Sequence, residues 1–345
     1  MLQFGICEID AYRPPSRGLF HRLRTALRRH RVSLQLLRTG IPPTPRELAV
    51  FEHLISGIRL RNGVYRTTYR GRFADLDPIV NAILSARYLP SAEVFVHDWA
   101  ASSCLTSVEW ASTLFAILPL ASLTASDLLL FLVEVTLPDG EVFVVEPQGH
   151  PLQYIRRPFV IRLDPPEPNV LLINRLLGRR AAARLAALQI EIPEAWLASD
   201  DEELRVPAAH LRKIPVTHFD ARELAGRDSR FTICVHSAFD ALSRPVDVIR
   251  TINIYNRGYF GVERLRQGVH AVWSSLRAGG VWVVGRTLEA PRPAHHATIF
   301  EKAEQGFRVL GRIGAGSEIE DLVVDGSPDM HTMPQHTSTA NWKVG

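Results

Sequence analysis

A chain of 345 residues that is 46% hydrophobic and 22% charged can bury a sizeable core, and its composition is neither that of a disordered segment nor that of a membrane-embedded protein. Its net charge of +4 comes almost entirely from arginine, with lysine only at Lys213, Lys302 and Lys343, so it does not describe a surface built to neutralise phosphates and nucleic acid is not an expected partner. Cys7, Cys104 and Cys234 are far apart and form no CxxC pair, so neither a disulfide framework nor a zinc or other metal site is signalled.

The chain opens with the acids Glu8 and Asp10 followed by arginines, without the apolar core of a signal peptide, so a reducing cytoplasm is the expected location. From Ala11 to Arg46 there are nine arginines and no acid, and Leu19, Phe20, Leu23, Ala26 and Leu27 repeat at helical spacing. This predicts a basic amphipathic helix whose apolar stripe packs on the main domain, or docks on a membrane surface, a partner or a second copy of the chain. Pro42, Pro43 and Pro45 end any helix there, and Glu47 to Gly57 starts another. Residues 1–90 are therefore read as an N-terminal helical extension.

Residues 91–325 read as the main domain. The run from Glu93 to Asp98 predicts a strand, the small residues of WAASSC a tight turn, and Ser107 to Leu118 a helix. Ala121 to Ala125 forms a second apolar run, closed by Ser126 and Asp127, which completes a βαβ unit with an acid after each strand. The apolar stretch Thr113 to Val135 has transmembrane length, but Pro119, Ser122 and Asp127 interrupt it and no membrane span is expected.

Phe131 to Leu137 and Glu141 to Glu146 flank Pro138-Asp139-Gly140, a hairpin signal. Pro165, Pro166 and Pro168 then break the chain before a helix predicted over Val170 to Leu188, and Ser199 to Glu203 reads as an acidic surface loop. Residues 138–222 are taken as an insertion. Alternation returns with strands at Phe231 to His236 and Val246 to Ile254, a helix from Val262 to Leu276, a turn at Gly279-Gly280 and a strand from Val281 to Arg286. A closing hairpin joins Ala297 to Ala303 with Phe307 to Ile313, and residues 326–345 form a polar tail.

An open α/β sheet binds ligands outside the carboxyl ends of its strands. That rule singles out the loop Asp98 to Cys104, the acid Asp127, and the segments His236 to Asp240 and Asn253 to Tyr259. With EVFVHDWAASSC as a first-strand motif, LTASD as a second, and VDVIRTINIYN before LRAGGVWVVGRT as fourth and fifth, the chain from Ala92 to Val324 resembles the class I S-adenosylmethionine-dependent methyltransferases. The run IRTINIYNRGYF, a helix and then SLRAGGVWVVGR is similar in detail to the chemotaxis-receptor methyltransferases. The resemblance implies a Rossmann-like α/β fold with a seven-stranded, mostly parallel sheet ending in an antiparallel hairpin.

It also implies S-adenosylmethionine as cofactor and a methyl acceptor, small molecule or protein, as partner. Asp127 would hold the ribose hydroxyls, and the turn with Asp98, Ala100, Ser102 and Cys104 would cradle the methionine moiety. Ser237 and Phe239 would face the adenine, and Asn253 at the fourth strand end completes the set. A carboxylate accepts two hydroxyl donors at once, and a turn of tiny residues lets backbone N–H groups approach a ligand. No catalytic residue stands out, because methyl transfer asks mainly for alignment.

The chain departs from the family where glycines are usual, carrying Ala100, Ser102 and Cys104 instead. Two functions follow as alternatives: methyl transfer to an unidentified acceptor, or a degenerate, non-catalytic methyltransferase-like binding or scaffold protein. A nicotinamide dehydrogenase would need G-x-G-x-x-G where WAASSC stands. Plainer uses exist for the same residues: Asp98 and Asp127 suit helix N-caps, Asn253 suits a strand-end cap, and Cys104 suits a small buried filler.

Overall fold

The computed structural model describes residues 33–38, 44–61, 65–156, 159–163, 172–289 and 293–324. The helix predicted around Leu19 to Leu27 and the polar tail lie outside them. After a 3-10 turn at Leu34–Arg38, the chain runs through α1 (Pro45–Ser56), α2 (Leu76–Arg87), β1 (Phe95–Trp99), α3 (Leu105–Ile117) and β2 (Ser122–Asp127). Four strands follow, β3 (Phe131–Thr136), β4 (Val142–Val145), β5 (Pro151–Arg156) and β6 (Phe159–Arg162), then α4 (Leu172–Leu188) and a single turn, α5 (Glu194–Leu197). Next come β7 (Glu203–Val206), β8 (Ala209–Pro215), α6 (Phe219–Arg227), β9 (Phe231–Val235) and β10 (Val246–Ile252). The described chain ends with α7 (Val262–Ser275), β11 (Leu276–Leu288), β12 (Ala294–Ala303), β13 (Gly306–Ile313) and α8 (Glu320–Val324).

These elements form two compact units, one from residues before 94 together with 100–237, the other from 94–99 together with 238 onward. In the first, six strands make an antiparallel sheet in the order β6-β5-β4-β3-β8-β7. Alternate side chains point to opposite faces, and both faces are covered. Leu132, Val144, Leu152 and Ile214 pack with Leu34, Leu37 and the α1 stripe Val50, Phe51, Leu54 and Ile55. Val133, Val135, Phe143, Val145 and Leu211 pack on the other side with Ala181, Leu185 and Trp196. The same unit contains the parallel pair β2 and β9, in register from Leu123 opposite Phe231 to Asp127 opposite Val235.

The hairpin expected at 131–146 is β3 and β4. The remainder of 138–222 carries more strand than the sequence announced, because β5 to β8 join the same sheet. β7 keeps its alternation, Glu203 and Arg205 being exposed between Leu204 and Val206, but at four residues it is too short to stand out from the acidic run before it. The acidic run at Ser199 to Glu203, read as a loop, ends at the first residue of β7.

In the second unit β1, β10 and β11 are parallel, with Val96 opposite Val248 and Val248 opposite Val281. β12 and β13 continue antiparallel, Val283 lying opposite Ile299 and Thr298 opposite Arg312. The α/β architecture of mainly parallel strands closed by an antiparallel hairpin is therefore present, carried by β1, β2 and β9 to β13. Gly279-Gly280, expected as a turn, lies inside β11, which starts directly after α7. Gly279 takes a φ of 75° there, a left-handed conformation open to glycine without steric cost, and the β10–β11 register shifts between Val246 and Val248. α7 turns Leu265, Val269 and Val272 inward, the spacing of one apolar helix face.

Candidate functional site

The turn from residue 100 to 104 leads into α3. Ala100, Ser102 and Cys104 have φ values of 55°, 56° and 62°, three left-handed residues within five, each with a Cβ. For an L-residue that conformation costs roughly 1–2 kcal/mol, and such strain persists only where surrounding contacts over-determine the backbone.

Those contacts come from the strand β2 and from two segments the sequence did not single out. The Ala101 N–H donates to the Ser126 carbonyl at 2.8 Å, the Cys104 N–H to the Ala101 carbonyl at 2.8 Å, and the His218 N–H to the Ser103 carbonyl at 2.7 Å. The Ser102 N–H donates to Asp127 Oδ2 at 2.8 Å, tying the turn to the acid that ends β2. Asp127 Oδ1 accepts from Leu129 N–H at 3.0 Å and from Arg66 Nη1 at 2.8 Å. Arg66 Nη2 also donates to the Ser102 carbonyl at 2.6 Å, and the Ser102 hydroxyl donates to the Arg66 carbonyl at 3.1 Å.

Asp127 is accordingly a buried residue at 9% exposure, not the exposed strand-end acid that its position suggests. Its paired Arg66 is 3% exposed. A carboxylate offers about four lone-pair positions, and three are taken, two on Oδ1 and one on Oδ2. Beside it, Leu128 and Val235 are more than half exposed at 55% and 59%, and Val235 lies opposite Asp127 in register. Ser103 Oγ is buried without a hydrogen-bond partner. Cys104 is fully buried and precedes α3 without capping it by its side chain. Ser237, two residues beyond β9, is half-buried.

His218 supports the turn from α6. Its Nδ1 accepts the Asp220 N–H at 3.1 Å as the N-cap of that helix, and its Nε2 faces Glu52 at 3.3 Å. Burial lowers the ring's pKa from the ordinary 6.5; Arg70 lowers it further, while Asp220 and Glu52 oppose. The accepting Nδ1 agrees with a neutral ring. Arg70 itself bonds Asp220 at 2.7 Å.

Asp98, Phe239 and Asn253 belong to the second unit, where each has a local partner. Asp98 lies opposite Arg250 across β1 and β10, and Arg250 grips both its oxygens, Nε to Oδ1 at 2.9 Å and Nη2 to Oδ2 at 2.5 Å. Their side chains are 5% and 0% exposed, which makes this a fully desolvated bidentate pair. Asn253, left-handed at φ 68°, clamps the end of β10 to β11: its Oδ1 accepts the Thr287 N–H at 2.6 Å and its own N–H donates to the Gly285 carbonyl at 2.8 Å. The Phe239 ring is buried against Tyr255 and Phe260, with the Arg264 guanidinium 4.1 Å from its centroid.

Arg66 carries no local signal in the sequence, since it lies between helices in a segment without periodicity. Arg250 does carry one, being a cation between Ile249 and Thr251 in the largely apolar strand β10, where burial calls for an acid beside it. Among the described residues no cluster of His, Cys, Asp and Glu could hold a metal ion, and no helix is long and apolar enough to cross a membrane.

No protein-family model matches the sequence, and no curated protein matches it. Solved structures similar to the chain include YjhP from E. coli, at 11% identity and a TM-score of 0.28, covering 70% of this chain and 56% of that one. Another is the sugar N-methyltransferase KedS8 from Streptoalloteichus, at 16% identity and 0.30, covering 74% and 79%. A third is the O-methyltransferase NcsB1 from neocarzinostatin biosynthesis, in complex with S-adenosyl-L-homocysteine and 1,4-dihydroxy-2-naphthoic acid, at 14% identity and 0.26, covering 61% and 40%. The chain spans about half the length of YjhP and less of NcsB1. Likeness at this level assigns neither ligand nor reaction to the chain.

Proposed function

We infer that the chain is a methyltransferase that holds S-adenosylmethionine at the turn 100–104 and Asp127 and delivers its methyl group to an acceptor of unidentified chemistry. The observation that carries this reading is the turn itself. Three residues with side chains stay in the left-handed conformation that glycine adopts freely, and the middle one is hydrogen-bonded to the acid ending β2. Strain maintained by that many contacts is expected where a backbone shape serves a ligand.

The donor set suits the cofactor. Asp127 keeps one acceptor position, on Oδ2, for a ribose hydroxyl. Leu128 and Val235 offer exposed aliphatic surface beside it for a flat ring, and the Ser237 hydroxyl follows β9 on the same chain segment. Ala100, Ser102 and Cys104 would shape the backbone toward the methionine part. When bound, the cofactor supplies a methyl already activated by its sulfonium, so the residues' work is to bind and align. Asp98, Phe239 and Asn253 are assigned supporting roles in their own unit, because Arg250, Thr287 and the aromatic cluster already engage them.

A second reading, a binding or scaffold protein without catalysis, is favoured by one feature: Arg66 and Arg250 occupy the two acids that the resemblance makes cofactor ligands. Isothermal titration of the full chain with S-adenosylmethionine and S-adenosylhomocysteine separates the two. Saturable one-to-one binding supports the enzyme, and no heat with either compound supports the scaffold.

A further inference from the structure

We propose that Arg66 is a resident competitor for the ligand at Asp127, and so the residue that sets affinity at the adenosyl site; this rests on the reading above. The guanidinium holds Asp127 Oδ1 at 2.8 Å and the Ser102 carbonyl at 2.6 Å, two groups of the turn-and-acid element that would meet the ribose and the methionine part. With Arg66 seated, only one of two ribose hydroxyls finds an acceptor on Asp127, because the remaining positions on Oδ1 are filled. A diol binding both oxygens must displace Arg66 from Oδ1.

The seat is incomplete. Arg66 Nε is buried without an acceptor, so the guanidinium leaves a donor unsatisfied there that water would satisfy on release. Arg66 lies outside the helices and named strands, its N–H donating to the Ile58 carbonyl at 3.1 Å and its carbonyl accepting the Ser102 hydroxyl at 3.1 Å, so the turn and the Arg66 backbone are coupled and displacement of the guanidinium disturbs both. Charge adds a discrimination. A seated guanidinium beside the turn opposes a second cation, so it disfavours the sulfonium of S-adenosylmethionine more than the neutral thioether of S-adenosylhomocysteine.

Equilibrium dialysis of both compounds against the full-length wild type, Arg66→Gln and Arg66→Lys tests this. Arg66→Gln is expected to bind S-adenosylhomocysteine about tenfold more tightly than wild type, the equivalent of one hydrogen bond, and to gain more for S-adenosylmethionine. Arg66→Lys, which keeps the charge and loses the fork, should fall between. In wild type, saturating S-adenosylhomocysteine should speed hydrogen exchange at residues 65–70. If folded Arg66→Gln binds no better than wild type, or if exchange at 65–70 is unchanged or slowed, Arg66 is a brace for the turn and the proposal is overturned while the cofactor reading stands. If neither wild type nor any variant binds either compound, both fail. Should Arg66→Gln not fold, the exchange measurement on wild type decides alone.

Discussion

Arg66 and Asp127, 61 positions apart in sequence, form a buried ion pair with Nη1 2.8 Å from Oδ1 and side chains 2% and 12% exposed. The pair converts an acid at a strand end into part of the core. Asp127→Ala therefore strands a buried guanidinium and removes the acceptor of the Ser102 N–H, a loss of about 3–5 kcal/mol for breaking such a pair. Asp127→Asn keeps an acceptor for Ser102 and should lose less. Urea denaturation of the three proteins checks the order; equal stability of Asp127→Ala and wild type would show that the pair is not formed.

Arg250 and Asp98 give a second expectation of the same kind. Arg250→Met leaves the Asp98 carboxylate buried without its partner and should cost about 3–5 kcal/mol, whereas pairing it with Asp98→Leu should recover much of the loss. Chemical denaturation of the single and double variants measures the coupling. Additive losses would mean that the two residues do not act on each other.

The left-handed turn predicts a stabilising change. Ala100→Gly removes only a Cβ from a residue at φ 55°. Relief of the left-handed penalty, partly offset by the greater freedom of glycine in the unfolded chain, should raise stability by about 0.5–1 kcal/mol. A thermal melt showing a lower midpoint would indicate that the turn relaxes to an ordinary conformation.

What could be read from the residues alone depended on how local each signal was. The βα unit around Asp98 and Asp127 and the hairpin of β12 and β13 were legible, because short apolar runs and turn residues mark them directly. The antiparallel sheet of β3 to β8 was legible only as its first hairpin, since β7 is four residues long and β5 sets Gln153 and Tyr154 side by side among its apolar residues, so neither makes an extended alternating run. The neighbours of Asp127 were not legible at all. Arg66 reaches it from a segment without pattern, and His218 supports the turn through a backbone N–H, which no side-chain spacing reports.

His218 makes stability depend on pH. Its folded pKa lies below its ordinary 6.5, chiefly through burial, so the unfolded chain takes up the proton first. The ring's contribution is complete above about pH 6.5 and is lost as pH falls through the lower folded value. Glu52, Asp220 and Arg70 all face the ring. As pH falls below about 6.5, wild type should lose stability more steeply than His218→Asn, which keeps a helix-capping acceptor without a titrating ring. Parallel pH profiles for the two proteins would remove His218 from the account.

The central claim, that an adenosyl cofactor is held by the turn and Asp127, is tested most directly by titrating S-adenosylmethionine into wild type and into Asp127→Ala under conditions where both are folded. One-to-one binding by wild type, weakened by roughly tenfold to a hundredfold in the variant, is the predicted result, the loss of about 1–3 kcal/mol from a charge-assisted hydrogen bond. Equal affinity in the two folded proteins, or no binding by wild type, would contradict it.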